Sequence, residues 1–237
     1  MAMTPLRRTA LIAGACYLLT FASSIPALAL HGPVLDDPNF ILGAGSESRV
    51  LWGSTLDLVN AIAAIATAVV LFPVLKRQHE GVALGFVTSR LLEAAVVFAG
   101  VAAMLAAVTL RQDRDGSTDT AALEEIGRSL VAYHDWTFLL GPGMIPGINA
   151  LLLGYLMYRS GLVPRAIPVL GFIGAPLILG SAMATLFGVY DQVSTTATLA
   201  ALPVALWEFS VGCWMLFKGF LPSPVTATIL ESETSRA

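Results

Sequence analysis

The chain has 237 residues, of which 56% are hydrophobic and only 12% charged, with a mean hydropathy of +0.77. A soluble domain carries about 25% charged residues, so a water-soluble enzyme is excluded. The 13 Lys and Arg against 16 Asp and Glu, with no basic run longer than two, also exclude a nucleic-acid binder. Cys16 and Cys213 lie far apart within apolar runs, which leaves neither a disulfide framework nor a CxxC redox or zinc motif. This is the composition of an integral membrane protein, with the lipid bilayer as its first partner.

A bilayer core about 30 Å thick takes roughly 20 apolar residues per helix. Six such stretches, at 9–30, 50–75, 82–110, 136–158, 166–190 and 197–217, predict an all-α bundle of six transmembrane helices forming a single domain over 1–221. The first stretch follows Arg7-Arg8 and contains Ala27-Leu28-Ala29, both features of a cleaved signal peptide. Its apolar run of about 22 residues exceeds the roughly 7–15 of a signal core, so an uncleaved helix is expected. Gly32-Pro33 and Asp37-Pro38 mark turns in the following loop, and a short connection runs from Lys76 to Gly81. Within the polar segment 111–135, residues 120–128 predict a short surface helix. Gly141-Pro142-Gly143-Met144-Ile145-Pro146-Gly147 interrupts the fourth span, because proline removes backbone hydrogen bonds. Such a break either lines a cavity or is a kink that neighbouring helices absorb. In the fifth span Gly180, Ala184 and Gly188 recur every four residues, the pattern of a face for close helix packing. Trp52, Trp136, Tyr158 and Tyr190 fall near span ends, where aromatic anchors belong. The Ser/Thr-rich residues 222–237 predict a disordered cytoplasmic tail.

Orientation follows from Lys and Arg. With the N-terminus cytoplasmic, the inner segments hold Arg7, Arg8, Lys76, Arg77, Arg159, Arg165, Lys218 and Arg236, whereas the outer ones hold Arg49, Arg111, Arg114 and Arg128. Eight against four predicts that both termini are cytoplasmic.

Ionisable groups inside a span are costly and usually face the bundle interior. Arg90 and Glu93, three apart on the third span, share one helical face, at depths of roughly 12 and 16 Å from the inner end. Asp57 and Asn60 lie roughly 10 and 15 Å from the outer end, Glu208 about 16 Å and Asn149 about 20 Å. All six depths converge on the middle of the membrane. The cluster offers one cation against three carboxylates, so at least one acid is expected to hold a proton or meet a cation, with Glu208 the foremost candidate. Two roles are open: a site for a small polar molecule, an ion or a proton, or a salt-bridged network that only fixes helix register.

Other chemistry finds little support. His31, His79 and His134 are placed in or at loops, and no HExxH, GxSxG, Walker or dinucleotide glycine motif is present. Glu124-Glu125 lies in a polar loop with no transmembrane histidine to complete a metal or base site. No catalytic, metal or cofactor residue is assigned, and an intramembrane enzyme is the weakest of the readings.

Several strings have a familial look: Arg7-Arg8-Thr9-Ala10-Leu11-Ile12-Ala13-Gly14, Arg90-Leu91-Leu92-Glu93-Ala94, the segment from Gly154-Tyr155 through Gly161-Leu162-Val163-Pro164-Arg165, and Trp207-Glu208 leading to Lys218-Gly219-Phe220. Together they resemble the bacterial membrane family called domain of unknown function 4386 (DUF4386). The resemblance implies a multi-pass protein of the bacterial inner membrane and carries no catalytic residues with it.

The charge bias yields a topology test. Cysteines introduced as Gln78→Cys and Ser160→Cys should react only with reagents applied from the cytoplasm, and Ser117→Cys only from outside. Labelling of the last by a cytoplasm-restricted reagent would reverse the assignment.

Overall fold

A computed structural model describes residues 3–37, 39–114 and 119–227. Among these every regular element is helical: α1 (Pro5–Leu35), α2 (Glu47–Gln112), α3 (Thr120–Leu140), α4 (Ile145–Ser160), α5 (Ala166–Leu186) and α6 (Thr195–Phe217). Five segments are long and apolar enough to cross a membrane: α1, α2, the α3–α4 stretch Thr120–Ser160, α5 and α6.

The 66 residues of α2 would reach roughly 100 Å as one rod. They do not form one. His79 is extended (φ −163°, ψ 106°), and its ring Nδ1 accepts from Val82 N–H (3.2 Å), which caps the helix restarting beyond it. The arms 47–78 and 80–112 fold back on one another. Ala61 of the first packs with Ala94, Val97 and Val101 of the second, and at the far end Gln112 donates to Glu47. Chain reversal at His79 therefore comes from one residue leaving the helix rather than from a loop.

Helix boundaries follow local chemistry. Thr4 Oγ1 accepts from Arg7 N–H (3.3 Å), and Pro5 occupies the first turn, where its missing N–H costs nothing. Helix α1 then continues past both Pro26 and Pro33, five residues beyond the expected end at 30, and so draws His31 into a helix. The fifth helix stops at Leu186, short of 190, because Gly188 is left-handed (φ +72°). There Gly188 N–H donates to the Thr185 carbonyl and Val189 N–H to that of Ala184, both at 2.9 Å, a Schellman termination.

The fourth span departs most from expectation. The proposed surface helix at 120–128 continues without interruption as α3 to Leu140, capped by the Asp119 side chain accepting from Ala121 N–H (3.0 Å). The chain then leaves helical geometry at Gly141 (φ −86°, ψ −96°) and resumes as α4 at Ile145. Gly143 N–H reaches the Phe138 carbonyl (2.9 Å), five residues back, which partly replaces the bonds lost at Pro142.

The helices close into a ring. Helix α1 packs on α2 and α6, α6 on α5, α5 on α4, and both α3 and α4 on α2. Arg7 locks α1 to α6 by donating from Nη1 to the Met215 carbonyl (2.9 Å) and from Nη2 to that of Leu216 (2.6 Å). Toward the end carrying the 76–81 and 160–165 connections, the ring is filled by Leu71, Leu75, Phe86, Leu153, Met157 and Trp207. At the opposite end Arg111 donates to the carbonyls of Phe40, Gly43, Ala44 and Gly45, which ties the 39–46 loop down. Trp52 and Trp136 are exposed there.

Close packing uses other small residues than those expected. Nothing approaches within 4 Å of a Cβ placed at Gly180 or Gly188. At Gly174 that atom would meet Val204 N at 2.5 Å, and at Gly171 the Trp207 ring at 3.0 Å. The α5–α6 seam therefore runs through Gly171 and Gly174. The described chain also stays packed beyond 221: Leu221 N–H donates to the Leu162 carbonyl (2.9 Å) and Ser223 Oγ to that of Ser160 (2.5 Å). Of the tail expected to be disordered, 228–237 lie outside the described residues, as does Ser117. Ser160 is buried, so exposed Arg159 and Glu80 are better labelling positions for the end expected to be cytoplasmic, and exposed Glu125 replaces Ser117 at the other.

A backbone-limited glycine joins α1 to α6, where a Cβ at Gly14 would sit 2.5 Å from Leu216 N and 2.7 Å from the Gly212 carbonyl oxygen. Gly14→Ala should therefore destabilise the bundle by about 1–3 kcal/mol, the range for overpacking. Gly180→Ala should not. Thermal unfolding of both variants in the same detergent checks the contrast, and equal loss in the two would contradict the packing described.

Candidate functional site

Arg90 and Glu93 are one turn apart on the second arm of α2, so both project to the same side. Arg90 Nη1 donates to Glu93 Oε2 (3.0 Å), and Nη2 donates to Glu208 Oε1 on α6 (2.7 Å). Asn149 Nδ2 on α4 donates to the same Glu93 Oε2 (2.7 Å). The guanidinium carbon lies 5.0 Å from the Tyr17 ring centre on α1 and 5.8 Å from that of Phe86, within cation–π range. Arg90 is only 3% exposed. The network draws on α1, both ends of the α2–α6 contact, and α4.

The ligation is incomplete. Among the described residues, the buried Arg90 Nε, Asn149 Oδ1 and Tyr17 hydroxyl have no hydrogen-bond partner. A buried polar group left unpaired costs about 1–3 kcal/mol. Arg90 itself borders a cavity of about 150 Å³, bounded also by Glu93, Glu208, Asn60, Ser24 and Thr20. Pro142 and Pro146 complete its wall, which puts the break between α3 and α4 against the polar space. Of the two explanations open for that break, a cavity wall is what these prolines form.

Of the six residues singled out in the sequence, Arg90, Glu93, Asn149 and Glu208 are joined by hydrogen bonds, and Asn60 lines the cavity beside them. Asp57 stands apart. Its carboxylate faces His31, with Oδ2 3.6 Å from Nδ1, and helps line a separate chamber of about 60 Å³. The third carboxylate is thus withdrawn from the Arg90 account, leaving two acids around one guanidinium.

Sequence reasoning missed the partners on α1. Tyr17, Thr20, Ser24 and His31 recur at intervals of three, four and seven, one helical stripe, but tyrosine, threonine and serine do not stand out in an apolar run. The placement of the histidines in loops is corrected for two of the three. His31 lies within α1, 1% exposed, and His134 within α3, 6% exposed. The physical cause is that α1 runs through Pro33 and α3 begins sixteen residues ahead of the expected span. No group of three or more His, Cys, Asp or Glu among the described residues is disposed to hold a metal ion.

Long apolar helices around a buried ionic cluster define a multi-pass membrane protein. A family model described as Domain of unknown function (DUF4386) matches residues 12–219, and the chain belongs to that family. No curated protein and no solved structure matches it. The matched range contains every residue of the cluster, Tyr17 through Glu208.

The geometry predicts selective coupling. Arg90→Ala should cost about 3–5 kcal/mol, as removing one partner of a buried ion pair does, and more than Glu93→Gln, Glu208→Gln or Asp57→Asn. In double-mutant cycles Arg90 should couple with Glu208 by about 1–3 kcal/mol, whereas Arg90 and Asp57 should be additive within about 0.5 kcal/mol. Strong coupling of Arg90 to Asp57 in unfolding measurements would contradict the separation of the two acids.

Proposed function

We propose that the chain crosses the bacterial inner membrane six times with both termini cytoplasmic, and that it reversibly binds a proton or a small monovalent cation at the Arg90 cluster as part of transport. The six passes rest on α2 counting twice, once for each arm. The orientation rests on the Lys and Arg bias, strengthened because Arg111 at the opposite end is occupied by loop carbonyls.

The observation that carries the binding reading is surplus acid beside open polar space. Both Nη atoms of Arg90 are taken by carboxylates, which leaves it poorly placed to hold an anionic ligand. Two ionised acids around one guanidinium leave one negative charge, and low-dielectric surroundings demand that a proton or cation neutralise it. Glu93 Oε2 already accepts two hydrogen bonds, from Arg90 and Asn149. Glu208 accepts one and borders the cavity. Glu208 is thus the residue that exchanges the proton or cation, Arg90 holds it in place, and Asn149 and Asn60 offer further oxygen ligands.

A second reading has its own support. Arg90, held on α2 by Glu93, bridges to α6 through a 2.7 Å hydrogen bond to Glu208, which would by itself fix helix register in a protein that binds nothing. Infrared titration separates the two. In wild-type protein a carboxylic C=O band should appear or vanish across the neutral range, shift with added sodium or potassium, and be absent in Glu208→Gln. That variant keeps an acceptor for Arg90 and should unfold within about 1 kcal/mol of wild type. If Glu208 stays ionised throughout, indifferent to either cation, the register reading prevails.

A further inference from the structure

A second set of buried titratable groups lies between the Arg90 cluster and the end of the bundle carrying the 39–46 and 187–194 loops. His31 has polar partners on both ring nitrogens: Asp57 Oδ2 at 3.6 Å from Nδ1 and Ser54 Oγ at 3.4 Å from Nε2. The His134 ring stands edge-on to it, with centres 5.7 Å apart, and its Nδ1 lies 3.4 Å from Asp135 Oδ1. Two glycines, one on each arm of α2, keep this space open. A Cβ at Gly53 would fall 2.8 Å from the His31 ring, and one at Gly100 would fall 2.7 Å from Thr137 Oγ1 and 3.6 Å from the His134 ring.

The cavities adjoin one another in series, sharing wall residues. A space of about 280 Å³ beside Asp135 and Asp191 is bounded by His134. His134 also bounds the chamber of about 60 Å³ that contains His31 and Asp57. That chamber shares Ser24, Asn60 and Pro142 with the cavity at Arg90. A chamber of this size accommodates a few waters, each needing about 10–15 Å³ by the same measure. In the other direction Leu71, Phe86, Leu153, Met157 and Trp207, all fully buried, fill the ring.

We infer that His31, Asp57 and His134 form a proton-exchange station on a one-sided route joining the Arg90 cluster to the outer face. The inference rests on the proposed binding of a proton at Glu208 and adds the path by which that proton comes and goes. The step is proton transfer without redox change. His134 releases one proton to the His31–Asp57 pair, the pair releases one to Glu208, and His134 regains one from solvent. The pair suits this task because its proton can rest on the imidazole or on the carboxyl. The charged and titratable groups around it are Asp57 and Arg49 on α2, where Arg49 is held at the Ala29 carbonyl (2.9 Å); His134 and Asp135 on α3; and Asp191 at the mouth of the route.

The test is proton uptake by the full-length protein in detergent, followed with a pH-indicator dye after an acid jump. A phase present in wild type and absent in Glu208→Gln reports arrival at the cluster. Asp57→Asn and His31→Gln should each slow that phase about tenfold or more at unchanged amplitude, with Asp57→Glu restoring it. Unaltered rates in both would overturn the route while leaving the cluster's proton binding intact. If wild type has no Glu208-dependent phase, the binding reading fails, and the route is judged by access instead. In a background with Cys16 and Cys213 replaced, Ser24→Cys in oriented vesicles should react with a quaternary-ammonium methanethiosulfonate applied on the Glu125 side. It should be inert to reagent on the Glu80 side. No reaction, or reaction from the Glu80 side, overturns the route.

Discussion

The bundle is organised by the requirement that a guanidinium in its core be surrounded by acceptors. Arg90 cannot be left bare at that depth, and each contact that satisfies it constrains an element. Glu93 sets the rotation of the arm of α2 that carries both, Glu208 sets that of α6, and Asn149 draws α4 to the same point. Tyr17 and Phe86 cover the guanidinium from α1 and from one turn earlier in α2. Rotating α2, α4 or α6 breaks a charge-assisted bond in a low-dielectric setting, where such bonds are strongest.

Around that point the ring divides into unlike halves. Beneath the cluster, aromatic and aliphatic side chains interlock, Gly14 and Gly174 allow backbones to approach closely, and Gly171 seats the Trp207 ring. Above it, small residues serve the opposite purpose: Gly53 and Gly100 leave room for imidazole rings, and the Gly-Pro break between α3 and α4 holds a cavity wall apart. Glycine thus closes one half and opens the other. This asymmetry is what supports the proposed one-sided route.

Membership of DUF4386 gives these features a wider frame, because the match over 12–219 takes in the cluster, the His31–Asp57 pair and the broken fourth span. The family brings no assigned activity, so the roles of these residues rest on their own chemistry: one guanidinium, two nearby acids, three unpaired polar atoms and adjoining cavities.

The sequence by itself determined the membrane class, the all-helical architecture, and the presence of an ionic group at mid-depth, because hydropathy and the three-residue spacing of Arg90 and Glu93 are local properties of a helix. It also marked the weak point at Gly141–Gly147, since proline's missing N–H acts wherever the residue stands. Tertiary structure alone decided which acid Arg90 keeps and which it loses. Glu208 and Asp57 both fall in the middle of the membrane by sequence, at roughly 16 and 10 Å from the outer end, and the azimuth of each helix about its axis decides which of them meets Arg90. The same holds for the seam at Gly171 and Gly174 in place of Gly180 and Gly188, because a small residue is a packing residue only if a neighbour lies over it. It holds for His31 and His134 as well. Their burial depends on α1 outlasting its prolines and α3 starting early, outcomes set by the helices packed against them.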